Sequence, residues 1–317
     1  MNILQNGIPK SGNGWVYNIL HQCLIEGDVT INNYISNQPI FQLAQSWPDP
    51  LPDQSTIDTI HFKGNKIDYG IGRIFRFPIT DWESYLEQAT HIWNHDQYRL
   101  RMREHLKDIS HLIYIIRDPR DASISHSHFI FTDHIKWINL NITEDAHTFM
   151  KRRFFYMVRR WSEHVGSWLT AAQHPDLNIH FVFYERLLHD FDNELDRLIT
   201  FLGLDISAEA RARVKAETTF ESMKRKYPNH LRRGTSLEWV ETLTKLQKKE
   251  SVAMISKMLT LLNYPLAAPE KGQHPTPYIP ANISQADIAE ALLDTSRLTW
   301  REMAARVKRT GLILANW

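Results

Sequence analysis

The sequence predicts an α/β protein: a central, mainly parallel sheet flanked by helices, with a small helical appendage at its C-terminal end. Two observations carry that class. HLIYIIRD, 111–118, and NIHFVFYE, 178–185, are nearly continuous apolar runs, the pattern of strands buried on both faces of a parallel sheet. Around them apolar residues recur at helical spacing, so helices and buried strands alternate along the chain.

Each element has its own signal. Residues 2–5 read as a short strand. A helix follows from about Gly14 to Ile25, because Val16, Ile19, Leu20, Cys23 and Leu24 fall on one face, and Gly27 closes it. Residues 28–80 mix Asn, Pro and Gly with the aromatics Tyr34, Phe41, Trp47, Phe62, Phe75 and Phe77, and read as short strands and loops. TDWESYLEQA opens a helix, with Thr80 as N-cap and Glu83 completing a capping box. After the strand at 111–118, Pro119 sits where a first helical turn tolerates it, and DASISHSHF continues the helix. Residues 145–173 form one long helix along the stripe Phe149, Met150, Phe154, Met157, Val158, Trp161, Val165, Trp168 and Leu169. Phe191 to Leu202 is another helix, ended by Gly203. A Pro-rich connector, 264–280, precedes a capping box of Ser284 and Asp287, and the rest of the chain reads as two short helices. The expected division is one main domain over 1–265 and an extension over 266–317 packed on it.

Bulk composition narrows the function classes. The 317 residues include 37 basic and 36 acidic side chains, a net charge of +1, which argues against a general nucleic-acid or membrane-surface binder. No window approaches a membrane span, and MNILQNGIPKSG lacks the basic and apolar regions of a signal peptide. Cys23 is the one cysteine, so no intramolecular disulfide can form, and a cytoplasmic setting is expected. Its place on the apolar helix face gives it a packing role.

Three segments at strand ends carry candidate chemistry, since open α/β sheets bind ligands there. PKSGNGW follows the first strand. It is either an ordinary strand-to-helix turn or an anion cradle at a helix start, where unpaired N–H groups favour negative charge. Lys10 precedes the glycines, unlike the phosphate loop of common nucleoside triphosphatases. IIRDPRDASIS places Arg117 at a strand end and Ser125 about two helical turns on. Either these bind a phosphate, or Arg117 pairs with Asp118 or Asp121. LRRGTSLEW, 231–239, is a basic turn or a solvated charged face.

Together these segments resemble the sulfotransferases that use 3′-phosphoadenosine 5′-phosphosulfate (PAPS). PKSGNGW resembles their 5′-phosphosulfate loop, and RDPRDASIS their Arg-Asx-x-x-Asp-x-x-x-Ser 3′-phosphate motif. FVFYERLLHD, TTFESMK (218–224) and LRRGTSLEW resemble their Tyr-Glu strand end, Ser/Thr-Phe-x-x-Met segment and Arg-Lys-Gly loop. The resemblance spans roughly residues 1–265 and implies a P-loop-like fold. It implies that Lys10 contacts the 5′-phosphate and the bridging oxygen, while amides from Ser11, Gly12, Asn13 and Gly14 hold the phosphosulfate. Arg117, Ser125, Arg232, Arg233 and Gly234 would grip the 3′-phosphate. Trp15 and Phe220 would stack on adenine, with Tyr184 and Thr219 nearby. Asn13 and Gly14 replace two threonines of the usual loop, and Arg233 replaces a lysine.

By analogy with phosphoryl transfer, the acceptor oxygen attacks in line and its proton needs a base. Histidine suits that task near neutral pH. The resemblance puts the base in a Lys-Thr-His-like segment, where THIWNH, 90–95, falls. His91 is the first choice and His95 the reserve; the bland alternative is a partly exposed helical histidine. Ala89 stands where many members carry lysine. His126 and His128 point to different sides of a helix, so no metal site is expected. The expected activity is sulfuryl transfer from PAPS, giving PAP, to a hydroxyl of a small or lipophilic acceptor. The aromatics of 34–85, with Trp93, Phe129 and Phe131, are candidates for its pocket. VETLTKLQKKE, 240–250, resembles a late dimer signature, so a homodimer stays open. A small-molecule kinase and a non-catalytic PAP/PAPS-binding protein are the alternatives.

Overall fold

The computed structural model describes residues 1–47, 55–72, 74–138, 144–226 and 232–296. In chain order the elements are β1 (Ile3–Gly7), α1 (Asn13–Glu26), α2 (Pro39–Ala44), β2 (Asp58–Lys63), β3 (Lys66–Ile71), β4 (Phe75–Pro78), α3 (Trp82–Gln88), β5 (His91–Asn94) and α4 (Arg103–Leu106). The second half runs β6 (His111–Ile116), α5 (Pro119–Phe129), α6 (Asp133–Ile138), α7 (Ala146–Ala171), β7 (Ile179–Phe183), α8 (Tyr184–His189), α9 (Phe191–Leu202), α10 (Ala208–Thr218), α11 (Phe220–Lys226), α12 (Trp239–Thr242), α13 (Lys245–Leu261) and α14 (Gln285–Ser296).

The strands form one sheet in the order β4-β3-β2-β5-β1-β6-β7. The five strands from β2 to β7 across the centre run parallel, and β3 and β4 add an antiparallel edge. Alternate residues of β6 feed two cores. Leu112, Tyr114 and Ile116 join the one built by α7 and α13; Ile113 and Ile115 join the one built by α1, α9 and α10. That two-sided burial is why the strand reads as an unbroken apolar run. Cys23 lies fully buried in the second core, and burial pushes its thiol up to about 12, so it is packing.

Several local expectations change. Asp81, not Thr80, caps α3: its Oδ1 accepts from the Ser84 amide at 3.0 Å. THIWNH is not helical; it supplies β5, hydrogen-bonded between β1 and β2. Tyr184 and Glu185 open α8 rather than ending the strand. The capping box of Ser284 and Asp287 is present, and α14 rests on α7 and α13, with Leu292 against Gly166 and Lys257 paired to Glu290 at 3.0 Å. The second expected C-terminal helix lies outside the described residues. Among the described residues no helix is long and apolar enough to cross a membrane.

Buried polar side chains fix the sheet ends where the candidate site lies. Gln5 Nε2 donates to the Asn13 carbonyl at 2.8 Å, tying β1 to the first turn of α1. Asn6 Nδ2 donates to the Asp96 carbonyl at 3.0 Å, tying β1 to the exit of β5. At the β6–α5 junction Asp118 caps α5 and pairs with the fully buried Arg120 at 2.6 Å. Arg120 also lies 3.7 Å from the Trp239 ring centroid and donates to the Pro265 carbonyl at 2.7 Å. Glu185 accepts from the Asp118 amide and from Tyr264 Oη, both at 2.8 Å. Asp118 is thereby committed to Arg120, leaving Arg117 outside that ion pair.

Candidate active site

The turn after β1 is built by unusual backbone angles. Lys10 has φ 73° and Gly12 φ 102°, both in the left-handed region that side chains disfavour. Gly12 is the N-cap of α1 and makes no side-chain cap, so the first N–H groups of a 14-residue helix face the turn. A Cβ on Gly12 would sit 2.7 Å from Tyr184 Cδ2, so the turn and α8 meet only because this residue has no side chain. Asn13, one of the departures from the usual loop, is a brace: its Nδ2 donates to the Ile8 carbonyl at 2.9 Å. The structure gives Gly14 a similar backbone role, its carbonyl accepting from Asn18 Nδ2 at 2.7 Å.

Lys10 Nζ lies 4.3 Å from the ring centroid of Phe129 at the end of α5. Burial, followed by the nearby charges of Arg117 and Arg232, lowers its pKa to about 7. Arg117 leaves β6 beside it. Its Nη1 donates to the Lys10 carbonyl at 3.2 Å and its Nη2 to the Thr235 carbonyl at 3.0 Å, and the guanidinium lies over the Tyr184 ring at 4.0 Å. One cation thus joins the first turn, the late basic loop and α8. Ser125 is half-buried in α5, downstream of Arg117.

The remaining candidates form an aromatic shelf. Trp15 meets Tyr184 edge-on at 5.7 Å, lies 6.2 Å from Phe191, and its Nε1 donates to the Thr218 carbonyl at 2.6 Å. Thr219 Oγ1 accepts from the Ser222 amide at 3.1 Å and so starts α11. Phe220 lies against Gly234, whose φ is 63°, and a Cβ there would come within 2.3 Å of the ring. Gly234→Ala is therefore expected to force Phe220 aside and strain the loop, costing about 1–3 kcal/mol of stability, checked by urea unfolding.

The sequence reading missed Glu238. Arg232 Nη1 donates to its Oε1 at 2.7 Å, Arg232 Nη2 reaches Oε2, and the exposed Arg233 approaches Oε1 at 3.3 Å. Its signal was available, as an acid shortly after two arginines in LRRGTSLEW. A bound phosphate must compete with this carboxylate for both side chains.

The structure places the two candidate histidines at opposite ends of β5. His91 opens β5 opposite Ile3, at the far end of the strands, roughly 13 Å along them from Gly7. It is buried, stacks on Tyr17 at 4.3 Å, and burial followed by the charge of His21 lowers its pKa to about 3. His95 instead follows β5 at the end shared with the Lys10 turn. Its Nδ1 lies 2.5 Å from the Gly7 carbonyl and its Nε2 2.8 Å from Trp93 Nε1. Burial is the main cause of its pKa falling to about 4, partly offset by the Gly7 bond. Aligning His95 with the Lys-Thr-His segment puts Trp93 at the lysine position and Asn94 at the threonine position, in place of Ala89 and Thr90. Among the described residues no cluster of three metal-ligating side chains forms, and His126 and His128 stay on α5.

A lysine and an arginine lie beside a helix start at the ends of parallel strands, a donor arrangement in an α/β fold that suits an anion. A family model described as "Sulfotransferase domain" matches residues 2–260, and the chain belongs to that family. It is 25% identical to the amine sulfotransferase of Oryctolagus cuniculus over 218 residues, 68% of this chain and 60% of that one. It is 31% identical to cytosolic sulfotransferase 1 of Danio rerio over 124 residues, 36% of this chain and 38% of that one. The match thus spans less than two thirds of these curated relatives. The fold is shared with mouse sulfotransferase SULT7A1 complexed with PAP, at TM-score 0.52 and 19% identity over 81% of this chain and 83% of that one. It is also shared with retinol dehydratase in complex with androsterone and inactive cofactor PAP, at TM-score 0.52 and 19% identity, covering 84% and 82%.

Proposed function

We propose that the protein transfers a sulfuryl group from PAPS to a hydroxyl of a small acceptor, with His95 as general base. One observation carries this reading. Ser11 Oγ, Arg117 Nε and Arg232 Nε are buried without a hydrogen-bond partner among the described residues, and they surround the turn that presents Lys10. Buried polar atoms are normally satisfied, so three orphans beside three cationic side chains, Lys10, Arg117 and Arg232, fit an anion-rich ligand. When bound, PAPS supplies the sulfuryl group and a phosphate leaving group.

The chain's own residues divide the remaining work. Lys10 and the amides of Ser11 to Gly14 hold and neutralise the 5′-phosphosulfate. Arg117, Ser125, Arg232, Arg233 and Gly234 take the 3′-phosphate. Trp15 and Phe220 flank adenine, with Tyr184 and Thr219 beside it. His95 carries its proton on Nδ1, since the Gly7 carbonyl can only accept, and this leaves the Nε2 lone pair to take the acceptor's proton. A homodimer through residues 240–250 and a cytoplasmic setting belong to the same reading.

Of the expected aromatic acceptor lining, Trp93 bonds His95 and Phe129 lies beside Lys10, but much of the 34–85 set lies elsewhere. Tyr34, Trp47, Phe62, Tyr69, Phe75 and Tyr85 pack in the core on the other face of the sheet. On the face of His95, β2 and β3 bring His61 opposite Asp68, and the charge of His61 acts on His95. This favours a small polar acceptor over a lipophilic one. The test is transfer of labelled sulfate from PAPS across phenols, polar alcohols, amines and glycans. Turnover with polar hydroxyl compounds is expected; failure to bind PAP in calorimetry overturns the proposal.

A further inference from the structure

Both ring nitrogens of His95 are occupied. Its Nδ1 lies 2.5 Å from a carbonyl oxygen, which only accepts, and its Nε2 lies 2.8 Å from an indole nitrogen, which only donates. The heavy atoms alone therefore fix the tautomer, with the proton on Nδ1 and the lone pair on Nε2. That lone pair is the one the reaction needs, and Trp93 Nε1–H already sits on it. Trp93 is half-buried, and its ring lies 5.4 Å from Tyr17 and 5.6 Å from the His95 ring.

We propose that Trp93 is the gate of the general base: its indole N–H holds the Nε2 lone pair of His95, and an acceptor hydroxyl reaches the base only by displacing it. The inference rests on His95 being the base. In it Trp93 is a positioning residue, touching the base and not the sulfuryl group. The residue standing at the lysine position of the family segment brings no charge there; it brings a hydrogen-bond donor in competition with the acceptor. The same bond keeps the imidazole oriented and neutral until the acceptor enters. No atom changes hands at the gate: one N–H···N bond breaks and one O–H···N bond forms, and the proton then follows the hydroxyl bond to Nε2 as the acceptor oxygen attacks.

The test uses the full chain with histidine and tryptophan side chains labelled with ¹⁵N. In the wild type the His95 Nε2 signal is expected at the position of a hydrogen-bonded lone pair. Trp93→Phe keeps an aromatic ring and removes the donor, so that signal should move toward the unbonded value. The titration has a defined sign. Trp93 can donate only to the neutral imidazole, so its loss makes protonation easier, by about fivefold in the equilibrium, the factor of one neutral hydrogen bond. The other titratable groups acting around His95 are Asp96, His61 on β2 and His164 on α7, and none is altered by the substitution. An unmoved Nε2 signal together with an unchanged titration overturns the gate. Should Trp93→Phe fail to fold, the wild type decides. With PAP present and glycerol added as a small polar alcohol, the Trp93 Nε1–H signal should shift as its bond is lost. If that resonance stays fixed at saturating glycerol, the gate is overturned. None of these readouts requires turnover. Failure of sulfate transfer with a normal Trp93 response would sink the activity and keep the contact, whereas transfer with no Trp93 response would sink only the gate.

Discussion

His95→Ala is expected to lower the rate constant for sulfate transfer by about 10²–10⁴, the range for loss of a positioned base, with the fold intact. His91→Ala is expected to leave the rate within a few-fold and to lower stability instead, since it removes a buried ring stacked on Tyr17. Single-turnover rates of both variants, with PAPS saturating, decide the matter. The pair is informative because both histidines stand in the same short segment, and the register of β5 on β1 alone separates them. His91 lies level with Ile3 at the start of β1, while His95 follows Asn94, level with Asn6, and bonds the last residue of the strand. If the His91 variant were the dead one, the site would have to be moved to the other end of the strands.

Lys10→Met is expected to cost about 10²–10³ in transfer, comparable to removing one charge-stabilising donor from a preorganised site. Methionine keeps the length of the side chain and bears the same backbone strain at φ 73°, so the substitution isolates the ammonium. A pH effect accompanies it. Burial, Arg117 and Arg232 hold the free-site pKa at about 7, and an anionic ligand raises it. Above pH 7 the amine must therefore gain a proton when PAP binds, and affinity should fall as pH rises, by up to about tenfold per unit. In Lys10→Met that slope should vanish. Calorimetry at two pH values, in buffers of different ionisation heat, reads both the slope and the proton uptake.

The sheet was legible because burial on two faces leaves an unmistakable mark. HLIYIIRD shows β6 directly, and Gly203, at φ 66°, ends α9 as a left-handed cap should. The Lys10 turn was legible in PKSGNGW as a glycine-containing junction between a strand and a helix. What escaped has a physical reason in each case. THIWNH is too short for either periodicity to declare itself, so β5 was hidden, and with it the level of each histidine. Asp81 and Thr80 are both good caps, and only the backbone angles choose between them. The aromatics of 34–85 could not be assigned to a sheet face, since that needs the register of β2 and β3, which no local pattern carries. Glu238 was legible as an acid near two arginines, but its bidentate hold on Arg232 follows from a loop geometry set by Leu237 and Gly234, both at positive φ.

The central claim is that Arg117, with Arg232 and Arg233, reads a 3′-phosphate while Lys10 reads the 5′ end of one adenosine ligand. Arg117 is the cation whose removal tests this most directly, since it is buried and bound to both the Lys10 and Thr235 carbonyls. Calorimetric affinities for PAP and for adenosine 5′-phosphate should be compared in the wild type and in Arg117→Ala. The account predicts that the wild type prefers PAP by at least about 10², a charge-assisted phosphate contact being worth several kcal/mol in a buried site, and that Arg117→Ala loses most of that preference. Equal affinities in the wild type, or an undiminished preference in the variant, would contradict it.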